Sequence, residues 1–120
     1  MFINNHLPNA GKVIKNEAMK IVYNRFIPFK GFSAMMFFGI IMARKDCGSV
    51  SPITINHEKI HEVQAKETGG YILFYLRYLL LCVKHGYRNN PFEREAYDNA
   101  GNISYLESRP TFAWKKYIQK

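Results

Sequence analysis

The hydrophobic and polar positions of this chain divide it into a β-like first half and a helical second half. Residues 1–18 mix Asn, Pro, Gly and Lys with apolar positions in no clear period, and read as an extended arm or short ordered lead-in. Ile21-Val22-Tyr23 and Phe26-Ile27 are β-branched and aromatic, with Pro28 closing the run, which predicts a strand. Ala34 to Ala43 (AMMFFGIIMA) is continuously apolar, and periodicity alone fits either a strand or a buried helix. Gly39 weakens a helix and two isoleucines suit a sheet, so a strand is expected over Phe37 to Arg44, followed by a turn at Asp46-Cys47-Gly48-Ser49. The stripe Met35, Met36, Phe37 and Phe38 reads as core.

The period then changes. Thr54 or Asn56 can cap a helix running from about Asn56 to Thr68, ended or kinked by Gly69-Gly70. A second helix, Tyr71 to about His85, is apolar nearly all round and is expected to be the buried central one, stopped by Gly86. Asn90 as cap and Pro91 at the first position open a third, from Pro91 to about Glu107. Beyond Pro110, Phe112, Trp114 and Tyr117 are expected to pack back on the core. The fold class is therefore α+β: a small N-terminal sheet of two or three strands packed on a C-terminal group of three helices. No repeat or linker divides residues 1–120, which read as one domain.

Composition adds partners to exclude. Seventeen Lys plus Arg against nine acidic residues give a formal charge of +8. The basic positions are scattered, as at Lys12/Lys15/Lys20 and Arg44/Lys45, and form no reading helix or finger spacing, so no nucleic-acid partner is expected. The charge does suit weak association with an anionic membrane through the apolar runs 34–43 and 71–83. Cys47 and Cys82 are too few for a disulfide framework and read as reduced thiols. With neither a signal-peptide pattern nor a run long enough to span a bilayer, a cytoplasmic location is expected.

The chemistry lies in His57-Glu58-Lys59-Ile60-His61, which spells H-E-x-x-H. Residues four apart share a helix face, so both imidazoles can reach one metal ion, while Glu58 stands beside it without ligating. The plain alternative is a surface helix with two exposed histidines. An open catalytic site needs a third ligand, with water completing the tetrahedron. No further histidine follows at metzincin spacing, and Glu93 and Glu95, beyond one intervening helix, are the remaining candidates. Gln64 lies on the face of His57, two turns on, and reads as a packing or supporting amide. Glu95 can instead pair with Arg94 or Arg88 or support a ligand from behind, Tyr97 is a candidate donor to an oxyanion, and His6 and His85 read as exposed.

The combination His57-Glu58-x-x-His61-x-x-Gln64, an apolar helix and Glu93-x-x-Ala96 resembles the gluzincin type of zinc metallopeptidase. It is also similar to small bacterial zincin-like proteins with H-E-x-x-H-x-x-Q followed by F-E-R-E-A-Y. The resemblance covers about residues 56–98. It implies Zn2+ held by His57, His61 and Glu93, with Glu58 as general base hydrolysing a peptide or protein substrate. A peptide would then add to the strand at Phe37 to Arg44. Tyr97 stands where that family usually has Asp, and Asp98 falls one position later. A zincin-like scaffold without catalysis, acting by metal binding or interaction, is the alternative the same residues allow.

Overall fold

Four strands form one sheet in the computed structural model of the chain, which describes residues 2–4 by their backbone, and residues 19–28 and 30–118 in full. They are β1 (Phe2–Asn4), β2 (Lys20–Asn24), β3 (Phe32–Phe37) and β4 (Ile40–Arg44), in the order β1-β3-β4-β2. β3 pairs antiparallel with both β1 and β4, and β2 runs parallel to β4. The rest of the expected lead-in, His6 included, lies outside the described residues. β2 stops at Asn24 instead of running on to Ile27. Asn24 Oδ1 accepts from the amides of Phe26 and Ile27 at 2.8 and 2.6 Å and turns the chain.

The apolar run expected as one strand is a hairpin. Phe37 pairs with Ile40 across Phe38-Gly39, whose φ angles are 49° and 87°. Positive φ at both positions is what a two-residue hairpin of type I′ requires, so Gly39 is the turn residue. The Phe38 amide donates to Tyr75 Oη at 2.7 Å, and its ring meets those of Tyr71 and Tyr75 edge-on at 5.7 and 5.0 Å. The tip is therefore held against the next layer. Met35 and Met36 are core, but Phe37 and Phe38 are exposed, because the turn carries them past the sheet. β3 and β4 are both internal strands, so neither presents the free edge expected for a peptide at Phe37 to Arg44.

Helix α1 (Pro52–Glu67) begins a turn earlier than expected: Ser51 is its cap, accepting from Thr54 N at 3.2 Å, with Pro52 at the first position. α2 (Tyr71–His85) follows Gly69-Gly70 as expected. α3 (Pro91–Asn99) starts at the expected cap, Asn90, which accepts from Phe92 N at 2.9 Å. It ends at Asn99 instead of about Glu107. Asn56 Nδ2 donates to the carbonyls of Ala100 and Asn102, each at 2.9 Å, using acceptors a longer helix would need. One further turn, α4 (Tyr105–Ser108), follows.

The central helix is α1, which touches β1, β3, α2 and α3. α2, expected in that place, buries only Phe74 and Tyr78, because nothing among the described residues covers its outer side. His85, on the inner side of its last turn, is half-buried and not exposed. The core joins Met36, Ala65, Phe74, Tyr78, Phe92 and Trp114, with Phe92 rings 4.8 and 4.7 Å from Phe74 and Trp114. Trp114 thus packs back as expected, while Phe112 stays 40% exposed. Cys47 and Cys82 are not joined in a disulfide, and among the described residues no helix is long and apolar enough to cross a membrane.

Candidate metal centre

Two turns of α1 and the first turn of α3 face each other, and this brings His57, His61 and Glu93 together. His57 Nε2, His61 Nε2 and Glu93 Oε1 form a triangle with all three sides 3.1 Å. A tetrahedral metal with bonds of about 2.0 Å has ligand atoms about 3.3 Å apart, so the triangle has the size of one face of such a shell. All three side chains are 0% exposed, which rules out a surface helix with two solvated histidines. This buried group can hold a metal ion.

The tautomer of His61 strengthens the fit. Gln64 Nε2 donates to Phe92 O at 3.0 Å and to Glu95 Oε1 at 2.9 Å, so its Oε1 is the acceptor facing His61 Nδ1 at 2.8 Å. His61 therefore carries its proton on Nδ1 and points the Nε2 lone pair into the triangle. Burial holds His61 down at about 3, so it is neutral. Its lone pair and the Glu93 oxygen repel across 3.1 Å unless a cation lies between them. Burial raises the Glu93 carboxyl, but its charged form is favoured more strongly, in part by the hydrogen bond from His57 at 3.1 Å, and it lies well below the usual range. Tyr78, on the inner face of α2, donates its hydroxyl to Glu93 Oε2, turning the other oxygen towards the histidines.

Glu58 projects beside the triangle and is also 0% exposed. Neither of its oxygens has a hydrogen-bond partner of standard geometry, and the Met36 backbone favours its charged form only weakly. Burial, with the charge of Glu93 added, pushes it well above the ordinary carboxylate range. An ionisable group kept dry and unpaired costs several kcal/mol of desolvation, which a metal and its water would relieve.

Glu95 does not join the triangle and pairs with neither Arg94 nor Arg88. Besides Gln64 it accepts from Tyr105 Oη at 2.7 Å and from Arg109 Nε at 2.5 Å. Arg109 also forks onto Glu67 at 2.7 and 2.9 Å, so the chain Arg109–Glu95–Gln64–His61 fixes the imidazole from behind. Tyr97 lays its ring edge-on to His57, centroids 4.5 Å apart, and its hydroxyl meets that of Tyr87 at 2.8 Å. Sequence reasoning missed Tyr78, Tyr105 and Arg109. None belongs to a local motif.

Two outcomes follow here. Arg109→Met leaves the buried Glu95 without its counter-charge, the two side chains being 3% and 0% exposed. The variant should lose about 3–5 kcal/mol of stability in denaturant unfolding and bind metal about 10- to 100-fold more weakly. The second concerns pH. His61 and Glu93 both have depressed values when folded, so their contribution is present at neutral pH and is lost as pH falls. Glu58, raised, acts in the opposite sense, its contribution growing as pH falls towards about 4.5. The melting temperature of the metal-free protein should therefore drop most steeply below about 4.5, where His61 and Glu93 act together and Glu58 no longer offsets them. A flat profile over that range contradicts the assignment.

Compared with protein-family models, curated proteins and solved structures, the chain matches none.

Proposed function

We propose that this chain is a zinc-dependent metallopeptidase of gluzincin type, with His57, His61 and Glu93 as ligands and Glu58 as general base. The observation that carries the reading is the 3.1 Å triangle of two imidazole nitrogens and a carboxylate oxygen beside an unpaired, buried glutamate. Two nitrogens and one oxygen are donors zinc favours, whereas magnesium and calcium prefer oxygen alone. When bound, zinc lowers the pKa of a water to about 7 and polarises the scissile carbonyl.

Glu58, with its raised affinity for a proton, would accept one from a water at the centre and return it to the leaving amine as the remaining hydroxyl adds to the carbonyl carbon and the C–N bond breaks. Tyr78 and the Arg109–Glu95–Gln64 chain hold Glu93 and His61 still while this happens. The ligands and Glu58 are closed from solvent, so turnover includes a step that opens the centre.

The same closure favours a second reading, a zincin-like scaffold in which the ion is structural. Zinc-loaded protein incubated with unstructured peptides separates the two. Hydrolysis that stops on chelation and returns with zinc supports the enzyme; stoichiometric zinc without hydrolysis leaves the structural role.

A further inference from the structure

The outer face of α2 has no counterpart among the described residues. Ile72, Leu73, Leu76, Leu79, Leu80 and Val83 are each more than half exposed, up to 81% at Val83. At 100° per residue they fill one sector of about 120°. Phe74 and Tyr78 lie on the opposite side, inside the core. Arg77 and Lys84, both exposed, follow at the border of the sector, about 20° to 40° beyond Leu73. At the N-terminal end the hairpin tip extends the apolar surface, with Phe37 and Phe38 exposed and the Phe38 ring on Tyr71 and Tyr75.

A contiguous aliphatic stripe with a basic border is the pattern of a helix lying in a lipid interface. We propose that α2 and the Phe37–Phe38 tip seat this protein on an anionic bilayer, the stripe among the acyl chains and Arg77 and Lys84 at the headgroups. Charge selects this occupant. α2 contains no acidic residue and the chain carries +8, so a second copy would set Arg77 and Lys84 against like charges, whereas anionic headgroups pair with both. With 15 residues, α2 is about 22 Å long and lies in the surface without crossing it. Seating does not depend on hydrolysis.

Co-sedimentation of the full chain with phosphatidylcholine vesicles, with and without phosphatidylglycerol, tests this. Binding is expected with phosphatidylglycerol, falling as salt rises, and little without it. Leu76→Ser with Leu80→Ser, at exposed positions, should reduce binding at least tenfold; Arg77→Gln with Lys84→Gln should do so by about tenfold and weaken the salt dependence. Absence of binding at low salt overturns the proposal, as does unchanged binding in either double variant. A dimer seen by light scattering, dissociated by the leucine changes and accompanied by no vesicle binding, assigns the face to a second copy and also overturns it.

Discussion

Glu58→Gln should leave zinc bound and lower peptide hydrolysis by about 100- to 10,000-fold, the usual contribution of a positioned general base. Gln keeps the shape of Glu and cannot accept a proton. His57, His61 and Glu93 make their triangle without Glu58, so the metal should stay. A second readout distinguishes catalysis from packing. Glu58 is buried, unpaired and raised, so its contribution to stability is present at low pH and lost as pH rises. The metal-free glutamine variant should consequently melt higher than the metal-free parent at neutral pH. Loss of activity together with loss of zinc, or full activity in the variant, removes Glu58 from the role.

His61→Ala has the other large effect. Structural zinc contributes about 10 kcal/mol or more of binding free energy at neutral pH. Shared among three protein ligands, the loss of one costs about 3 kcal/mol, or roughly two orders of magnitude in affinity. The change also leaves Gln64 Oε1 without the Nδ1 donor it accepts from at 2.8 Å. Zinc content measured after dialysis should fall from about one ion per chain to near none. Glu95→Gln gives a useful contrast, because Glu95 touches Gln64 and not the triangle. That variant should keep its zinc while binding it more weakly.

The α+β class and the order of the main elements were readable from the change of period and from the Asn90-Pro91 and Gly69-Gly70 signals. The location of the centre was not readable from hydrophobicity. α2 looks like the middle of the molecule because it is apolar nearly all round, yet its outer half faces away from the core. α1 looks like a surface helix because what it buries is polar: His57, Glu58, His61 and Gln64 are all 0% exposed. A helix that encloses a polar centre inverts the usual pattern, and only the motif spacing revealed it. In the same way Gly39 argued correctly against a helix but concealed a turn, since a single glycine does not announce that Phe38 will also take a positive φ.

The supporting shell was the least legible part. Tyr78 reaches Glu93 from another helix, and Arg109 reaches Glu95 from a loop fourteen positions on. Such contacts depend on tertiary packing and leave no periodic trace. The short helix α3 depends on a distant residue as well, since Asn56 of α1 caps the carbonyls where it ends.

Anomalous diffraction at the zinc edge, from crystals of the zinc-loaded protein, examines the coordination directly. The peak should lie about 2.0–2.2 Å from His57 Nε2, His61 Nε2 and Glu93 Oε1 together. A peak bound by other residues, or none in a crystal where those three side chains are ordered, would contradict the metal centre and the function built on it.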